Sequence, residues 1–468
     1  MKRSAVVFGF SLASLLPGIG ERDANACGGC LQPPPPPTQT ASDVTDERML
    51  LAVSPTQSTL YDQLEYTGNP SSFAWVLPIR GTVDVGLSAD VLFGSIDALT
   101  ATQIVAPPRN CPPPPSCVGL AGGESAPSAY FGSGSDDNST VTVTKQENVG
   151  PYDTVQLHSA DTGALENWLA QNGFVIPAAE QPVIAAYVGE GFDFLAMKLL
   201  PNQGVQAMRP VRVTTRGASL SLPLRMAAIG TGVTVGITIW VVSDGRYEPQ
   251  NFPSFHIEDS ALVWDWSKSS SNYTTLRTQN ETALGGKGWE IESSLTLNQQ
   301  VITSAILSGG QYSNNGGIGA GGATQLLPSD ATQDYLPIGD PDAGADAAPY
   351  QSADDVRTAD IAALFAGLQG PNVRVTRIRS DIAHAAMTQD FFLQASADQS
   401  ELSNTRNVTK SVNLTCPVYQ PCSSVGCAAA TPSRPHRGLA ALGAGGMLGL
   451  FAGRIIRARR RASRASKT

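Results

Sequence analysis

Two apolar segments at the ends of the 468-residue chain limit which residues can form a folded body. The chain begins with Met1-Lys2-Arg3, continues through an apolar run at residues 5–16, and then has small residues at Ala24 and Ala26. Such a run is too short to cross a bilayer and is typical of a signal peptide. The sequence therefore predicts a signal peptide at residues 1–26, cleaved between Ala26 and Cys27. A lipoprotein signal with an acylated Cys27 is the alternative, but Ala24 stands where that signal favours an aliphatic residue.

Near the other end, residues 438–453 contain no charged side chain, and a cluster of arginines follows them. With Ile455 and Ile456 included, a helix here is about 28 Å long, close to the hydrocarbon thickness of about 30 Å. Arginine clusters stay on the cytoplasmic side of a membrane. We therefore expect a transmembrane segment at residues 438–456 and a basic cytoplasmic tail at residues 457–468. A Gly- and Ala-rich surface helix is the alternative.

The charge of the chain is distributed unevenly between its ends and its body. The formal net charge is -9 in total, but the first 26 residues carry +1 and the residues from Ala428 onward carry +9. The stretch between them therefore carries -19. An acidic body repels phosphate groups, so nucleic acid is not expected as a partner, whereas the basic tail predicts contact with a membrane.

The composition of the body favours sheets over a helical bundle. Gly (46) and Pro (33) are plentiful, and charged residues are only 15% of the chain, which is typical of many strands and turns. Residues 233–242 alternate and then become wholly apolar, as a central strand does. Ser88 and Asp161 are predicted helix N-caps. We expect an α+β fold: mostly antiparallel sheet with three or four packed helices in one large ectodomain.

Shifts in composition divide the chain between its two termini. The predicted segments are a Cys/Pro-rich spacer at 27–46, the main ectodomain at 47–308, a Gly/Asp-rich insertion or linker at 309–353, the C-terminal part of the ectodomain at 354–415, and a Cys/Pro stalk at 416–437.

Six of the seven cysteines form close pairs along the sequence and are candidates for disulfides: Cys27, Cys30, Cys111, Cys117, Cys416 and Cys422. Their spacing favours local disulfides in an oxidising compartment, although six cysteines allow other pairings. A redox role for Cys27 and Cys30 is the alternative. Redox cysteines of this spacing open a helix, whereas these two open a Pro-rich spacer, so we favour a structural disulfide.

Candidate metal ligands are few. Asp340, Asp342 and Asp346 present carboxylates that could converge on Ca²⁺, but they lack the bidentate Glu of an EF-hand, and the same composition is typical of a solvated linker. The histidines are far apart and lack zinc-site spacing: His158, His256, His384 and His436. The sequence thus identifies no cofactor and no catalytic residue.

Four tryptophans in strand-like segments are candidates for either core packing or a ligand platform. Trp75 and Trp240 lie in apolar stretches that favour the core. Trp264-Asp265-Trp266 would place two rings on one face of a strand, exposed if that strand is at an edge.

Several characteristic stretches follow one another over roughly residues 27–400. They include Cys27-Gly-Gly-Cys30, Phe73-Ala-Trp-Val-Leu-Pro-Ile79, Leu165-Glu-Asn-Trp-Leu-Ala-Gln-Asn-Gly-Phe174, Trp240-Val-Val-Ser and Val375-Thr-Arg-Ile-Arg379. In this order they resemble the bacterial exported family called domain of unknown function 2330. The resemblance implies an exported protein that is often followed by a membrane anchor. It implies no activity.

The C-terminal stretch also resembles the sorting tails of myxobacterial surface proteins, the MYXO-CTERM type. The resemblance rests on Gly426-Cys427, a short spacer, an apolar span and an arginine cluster. It implies processing near Gly426 and Cys427 by a sorting protease and attachment of the product to the envelope. It would also account for the unpaired seventh cysteine.

Together these features predict an exported, membrane- or surface-anchored protein of the cell envelope of a Gram-negative bacterium. We expect a binding or structural role with an unidentified ligand. The alternative is an exported enzyme, a hydrolase or a thiol-redox protein, whose site is assembled from residues that are distant in the sequence.

Overall fold

The computed structural model describes residues 43–67, 74–112, 145–172, 181–200, 208–229, 231–309, 334–339 and 350–418, together with Phe174, Ile176 and Ala178. An eight-stranded sheet is its largest element, with the strand order β13-β16-β17-β11-β1-β2-β9-β4. Its strands are β1 Asp43–Val53, β2 Gln57–Thr67, β4 Asp84–Leu87, β9 Val211–Arg216, β11 Thr231–Ser243, β13 Ser254–Phe255, β16 Trp289–Asn298 and β17 Asn372–Ala383.

This sheet is mixed, although most of its neighbouring strands are antiparallel. The β1–β11 and β13–β16 pairs are parallel, and the other five pairs are antiparallel. The long β11 lies between β1 and β17, so the predicted central strand is confirmed. Its second half is buried throughout because both of its faces are covered.

A second sheet has four antiparallel strands in the order β3-β8-β7-β6. These strands are β3 Ala74–Ile79, β6 Lys145–Val149, β7 Tyr152–Leu157 and β8 Asp193–Leu199. Three small sheets complete the strands: β10 Ser221–Leu222 with β12 Tyr247–Pro249 and β18 Phe391–Ala395; β14 Val263–Asp265 with β15 Ser270–Ser271 and β20 Lys410–Val412; and β5 Gln103–Val105 with β19 Thr405–Asn407.

The described residues contain seven α-helices and two short 3-10 helices at Asp259–Ala261 and His384–Ala386. The α-helices are α1 Asp90–Thr100, α2 Thr162–Gln171, α3 Gln181–Gly189, α4 Leu224–Ala227, α5 Tyr273–Ala283, α6 Gln299–Leu307 and α7 Ala353–Phe365. The α+β class is confirmed, but the expectation of three or four helices is wrong. Helix α5 lacks an apolar stripe because its buried residues are Tyr273, Arg277 and Glu281. Helix α4 is a single turn.

Of the two helix N-caps predicted from the sequence, one is observed in the structure and the other is not. Asp161 caps α2 by accepting a hydrogen bond from the backbone N–H of Ala164 at 3.1 Å, as predicted. Ser88 does not cap α1, whose N-cap is Ala89. The Ser88 hydroxyl instead donates to a buried carboxylate, Asp360, at 2.8 Å.

The two faces of β1 pack against different elements because side chains alternate along a strand. Leu50 lies between Tyr61 of β2 and Trp240 of β11. Trp240 donates to Thr100 of α1, so this face is covered by helices. Met49 belongs to the opposite face and borders a cavity shared with Trp75 of β3. The core thus lies on both sides of β1.

Two predicted segment boundaries differ from the structure. Strand β1 begins at Asp43, within the spacer predicted at residues 27–46, and it pairs with β2 from Asp43 and with β11 from Val44. Part of the insertion predicted at 309–353 is ordered in the body. Tyr335 is 1% exposed, and Ile338 forms an antiparallel bridge with Gln351. The Tyr335 ring can be buried because its hydroxyl donates to Asp360 Oδ2 at 2.9 Å.

The chain divides into two units, residues 1–109 with 122–415, and residues 110–121 with 416–468. The first unit contains every strand and helix described above. The described residues of the second unit are 110–112 and 416–418, which include one disulfide. Within the described part of the chain, no helix is both long and apolar enough to cross a membrane. The predicted transmembrane segment at 438–456 lies outside the described residues.

Candidate functional site: a cavity lined by unpartnered carboxylates

Two small cavities adjoin each other between β2 of the large sheet and β3 of the four-stranded sheet. The larger, of about 50 Å³, is lined by residues that include Asp62, Gln63, Asp90 and Arg209. The smaller, of about 20 Å³, is lined by residues that include Glu47. Asp62 and Trp75 border both. We refer to the two together as the carboxylate cavity.

The register of the central strands places two acids on one face of the sheet. Asp62 of β2 lies opposite Met49 of β1, so Asp62 shares a face with Met49 and with Glu47, two residues earlier. Both strands have neighbours on either side, β11 beyond β1 and β9 beyond β2. Because β3, α4 and the segment before β9 cover this face, Glu47 is only 3% exposed and Asp62 only 6%.

The pairing of β2 with β9 ends at Asp62 and Val211, which creates space at this point of the sheet. The segment that leads into β9 passes the open side of β2 and contributes Met208 and Arg209 to the wall of the larger cavity. Gln63, the next residue of β2, is 7% exposed. A break in strand pairing therefore brings polar side chains of β2 to the cavity.

Three buried acceptor atoms in the carboxylate cavity have no hydrogen-bond partner in the described part of the chain: Glu47 Oε2, Asp62 Oδ1 and Gln63 Oε1. The amide of Gln63 has a determined orientation, because its Nε2 donates to Asp90 Oδ1 at 2.5 Å and only the NH₂ group can donate to a carboxylate. All three open atoms are therefore acceptors. Buried polar atoms normally have partners. Other buried atoms of the described residues lack one too, Glu290 Oε2 and Arg277 Nη1 among them, but in this set three acceptors surround one cavity.

The charges near the cavity do not balance. Four carboxylates, those of Glu47, Asp62, Asp90 and Asp334, lie near two guanidinium groups, those of Arg48 and Arg209. Asp334 Oδ2 accepts from the backbone N–H of Val91 at 2.6 Å, and its Oδ1 is 3.7 Å from Arg209 Nε. With all four acids ionised, the site has an excess of negative charge.

Burial shifts the acids of the cavity toward their neutral forms. It raises the pKa of Asp62 to about 7, and burial together with the neighbouring Asp62 raises the pKa of Glu47 well above its ordinary value. Burial also raises the pKa of Asp90, against the opposing effects of Gln63, Arg209 and Arg48. Burial and the charge of Asp90 raise the pKa of Asp334 to about 6. The cavity can therefore accept protons or cations near neutral pH.

A second buried cluster on the same sheet has a different composition. Arg277 of α5 lies 3.1 Å from Asp381, 3.7 Å from Glu292 and 3.9 Å from Glu281, measured between charged atoms. Arg377 of β17 pairs with Glu292 and with Asp97 of α1. We call these six residues the arginine network. Each of its carboxylates has a guanidinium within ion-pair distance.

A third polar feature is a surface groove of about 320 Å³ between α7 and the β4–β9 edge of the sheet. Ala362 and Ala363 of α7 and its C-cap residue Ala366 form one wall, and Arg212 lies in the other. The charge of Arg212 is engaged by Asp360, whose Oδ1 is 3.3 Å from Arg212 Nη1. The groove is large enough for a small molecule, but the buried charge at its wall already has a partner.

Most residues singled out in the sequence lie outside the described residues. These are the cleavage site at Ala26 and Cys27, the cysteines Cys30, Cys117 and Cys422, the acids Asp340, Asp342 and Asp346, the sorting site at Gly426 and Cys427, and His436. Among the residues that the structure does describe, no three His, Cys, Asp or Glu side chains form a group that could hold a metal ion.

Two of the candidate cysteines form a disulfide with each other. Cys111 and Cys416 are bonded, with Cα atoms 5.4 Å apart and a sequence separation of 305 residues. The preference for pairing within each local cluster is therefore wrong for these two. Sequence spacing measures loop length, whereas a disulfide depends on the separation and direction of the Cβ atoms in the folded chain.

The described histidines have separate neighbours and do not converge. His158 Nδ1 is 2.5 Å from Asp193, His256 Nε2 is 2.8 Å from Glu258, and His384 Nδ1 is 3.1 Å from the Thr231 hydroxyl.

The four tryptophans fall into a buried pair and a half-buried pair. Trp75 and Trp240 are buried in the core, as predicted. Trp264 and Trp266 are half-buried and meet edge to face at 5.9 Å, and the Arg109 guanidinium lies over Trp266. Strand β14, which contains Trp264, has partners on both sides, so it is not an edge strand. The two rings therefore pack on each other within a small sheet.

The sequence did not identify the carboxylate cavity. Glu47 and Asp62 lie at the start of β1 and within β2, where an acid is typical of a solvent-exposed strand face. The only local signal was an acid between the apolar residues Leu60 and Leu64. Its burial depends on β3, α4 and the segment before β9, which are distant in the sequence.

The comparison with protein families matches residues 22–393 to the family described as "Uncharacterized protein conserved in bacteria (DUF2330)". The match covers most of the chain. The chain belongs to this family. The family resemblance expected from the sequence is thus confirmed, and no curated protein or solved structure matches the chain.

The DUF2330 region contains the whole eight-stranded sheet, the carboxylate cavity and the arginine network, since all of them lie between residues 22 and 393. Of the disulfide, Cys111 is inside the matched range and Cys416 is outside it. The cavity is therefore a feature of the DUF2330 body, whereas the disulfide links that body's sequence to the segment that follows it.

Proposed function

We propose that this DUF2330 protein is exported and works at the cell envelope of a Gram-negative bacterium, where its body has a binding role. The observation that carries the proposal is the Cys111–Cys416 disulfide. Disulfides persist in oxidising compartments outside the cytoplasm, and they are rare in cytosolic proteins. The apolar run at residues 5–16, preceded by Lys2 and Arg3, supports the same location.

In this proposal the two termini are processed and anchored as their sequences indicate. A signal peptidase cleaves between Ala26 and Cys27. Residues 438–456 hold the protein in the membrane, and the basic residues that follow stay in the cytoplasm. The resemblance to MYXO-CTERM tails adds processing at Gly426 and Cys427 by a membrane protease, followed by attachment of the product to the envelope.

The carboxylate cavity supports binding better than catalysis. At about 50 Å³ the larger cavity is far smaller than the roughly 300–1,000 Å³ of sites that enclose a substrate of ordinary size. It has unpartnered acceptors rather than a nucleophile hydrogen-bonded to a base. The Cys111–Cys416 disulfide joins cysteines 305 residues apart, unlike the Cys-x-x-Cys pair of a thiol-redox site, while the redox candidates Cys27 and Cys30 lie outside the described residues.

Cell fractionation combined with intact-mass analysis tests the proposal. We expect the full-length gene product in the membrane fraction, with a mature N-terminus at Cys27 and with Cys111 and Cys416 resistant to alkylation until reduced. A chain ending at residue 437 should be released from the membrane. A chain ending at residue 461 keeps the apolar segment and most of the arginines, and it should stay bound.

Two outcomes would contradict the proposal. Unprocessed protein dissolved in the cytoplasm with reduced thiols would exclude export. Membrane retention of the chain that ends at residue 437 would exclude the C-terminal anchor and would point to acylation of Cys27.

A further inference from the structure

We propose that the carboxylate cavity binds the primary ammonium group of a small amine. The inference gives the proposed binding role a ligand class, so it rests on that role, but it does not depend on the location of the protein. The inference rests on three properties of the carboxylate cavity as the described residues form it. These are the type of its open hydrogen-bonding atoms, its charge and its size.

The open atoms require a hydrogen-bond donor or a cation. Glu47 Oε2, Asp62 Oδ1 and Gln63 Oε1 are buried, and all three can only accept hydrogen bonds when the acids are ionised. Leaving such atoms unsatisfied is costly in a buried position. An ammonium group carries three N–H donors and no acceptor, so it complements this set, whereas a carboxylate or phosphate ligand would add more acceptors.

The charge and the wall of the cavity favour an organic cation. Burial favours the neutral form of Glu47, but the other three carboxylates, when ionised, still outnumber the two guanidinium groups near the cavity, so a bound monocation reduces the excess of negative charge. The wall also includes the Trp75 ring and the sulfur-containing side chains of Met197 and Met208. Aromatic faces attract ammonium groups, and methionine packs against their alkyl portion.

The volumes limit the size of the ligand. About 10–15 Å³ of space suffices for one water molecule, so the larger cavity of about 50 Å³ accommodates an ammonium group with one or two carbons. The ammonium then reaches Asp62 and Gln63. The smaller cavity of about 20 Å³ has room for a water molecule that donates to Glu47.

Isothermal titration calorimetry on the full chain in a non-ionic detergent, at pH 8 and constant ionic strength, tests the inference. We expect methylammonium chloride to bind saturably. Tetramethylammonium has the same charge, but it is larger and has no N–H donor. It should bind at least about tenfold more weakly than methylammonium. Potassium chloride should also bind about tenfold more weakly, because K⁺ can coordinate the same oxygens but has no methyl group to pack against Met197 and Met208. Equal affinity for either comparison cation, or no saturable binding of methylammonium, would overturn the inference.

Variants locate the binding. Asp62→Asn removes a charge. Gln63→Met removes an open acceptor at similar size, together with the Nε2 donor to Asp90. Each should weaken methylammonium binding by about tenfold. The matched control is Glu258→Gln, an exposed carboxylate paired with His256, and it should bind as the native protein does. Circular dichroism establishes that each variant is folded, and either folded variant suffices. Unchanged affinity in a folded Asp62→Asn or Gln63→Met variant would place any binding elsewhere and overturn the inference, while the fractionation result would stand.

Discussion

The arginine network and the carboxylate cavity are two buried clusters of charge on one sheet, and they differ in how the charges are compensated. In the arginine network, each of the four acids lies within 4 Å of Arg277, of Arg377 or of both. In the carboxylate cavity, Glu47 and Asp62 each keep an oxygen atom without a partner and border empty space.

The difference separates a structural arrangement from a candidate site. A buried ion pair is stable when its charges and hydrogen bonds compensate the loss of hydration. The arginine network meets much of that requirement and joins α1, α5, β16 and β17. A buried carboxylate that lacks a partner has lost hydration without compensation, so the fold tolerates it only at a cost in stability. Such a cost is typical of sites that bind protons or ligands.

The largest expected effect is in the arginine network. Arg377→Met leaves Glu292 without one guanidinium and Asp97 with none, so the free energy of unfolding should fall by about 3–5 kcal/mol. Urea unfolding followed by circular dichroism measures the change. Arg216→Met, at an exposed arginine of β9, is the control and should change stability by less than about 0.5 kcal/mol. A loss below about 1 kcal/mol for Arg377→Met would remove the contrast between the two clusters.

The next effect is a pH dependence that comes from the cavity. Burial raises the pKa of Asp62 from 3.8 to about 7, so between about pH 4 and pH 7 the folded chain holds a proton that the unfolded chain has released. The contribution of Asp62 to the free energy of unfolding is therefore largest below the pKa that Asp62 has in the unfolded chain, and it is lost as the pH rises through 7. At about 1.36 kcal/mol per pKa unit, the native protein should lose about 2–4 kcal/mol from Asp62 between pH 5 and pH 8.

The Asp62→Leu variant removes that contribution together with the effect of the Asp62 charge on the pKa of Glu47. Burial also raises the pKa of Glu281 to about 7 and that of Glu290 to about 8, and both groups remain in the variant. The variant should therefore keep part of the slope and be more stable than the native protein at pH 8. The exposed control Glu258→Leu should keep the native slope. Parallel stability curves for the Asp62→Leu variant and the native protein would show that Asp62 has an ordinary pKa.

The smallest effect concerns a third buried carboxylate, Asp360, whose oxygen atoms do have partners. Tyr335 donates to Asp360 Oδ2 at 2.9 Å and Ser88 does so at 2.8 Å. Tyr335→Phe removes one donor and should cost about 1–2 kcal/mol in urea unfolding. Tyr350→Phe is the control, since that ring is 44% exposed, and it should have almost no effect. Equal stabilities of the two variants would mean that residues 334–339 do not anchor to the body.

The parts of the fold that the sequence predicted are those that depend on short-range periodicity and capping. The strands near residues 48–53, 58–66 and 233–242 follow from alternation and apolar runs, and Asp161 caps α2 as expected. Helix α5 was not predicted because its inward positions carry Tyr273, Arg277 and Glu281, which look like a solvent-exposed face. Arg277 can be buried because its partners Glu292 and Asp381 come from β16 and β17, elsewhere in the chain.

By itself the sequence determined the sheet-rich α+β class, the central place of β11 and the resemblance to the DUF2330 family. Only the tertiary structure decided that Cys111 pairs with Cys416 and that Asp62 lies beside a cavity. The physical reason is the range of the interactions involved. Periodicity and capping act within a few residues, whereas disulfide geometry and the burial of a carboxylate depend on segments that meet only in the folded chain.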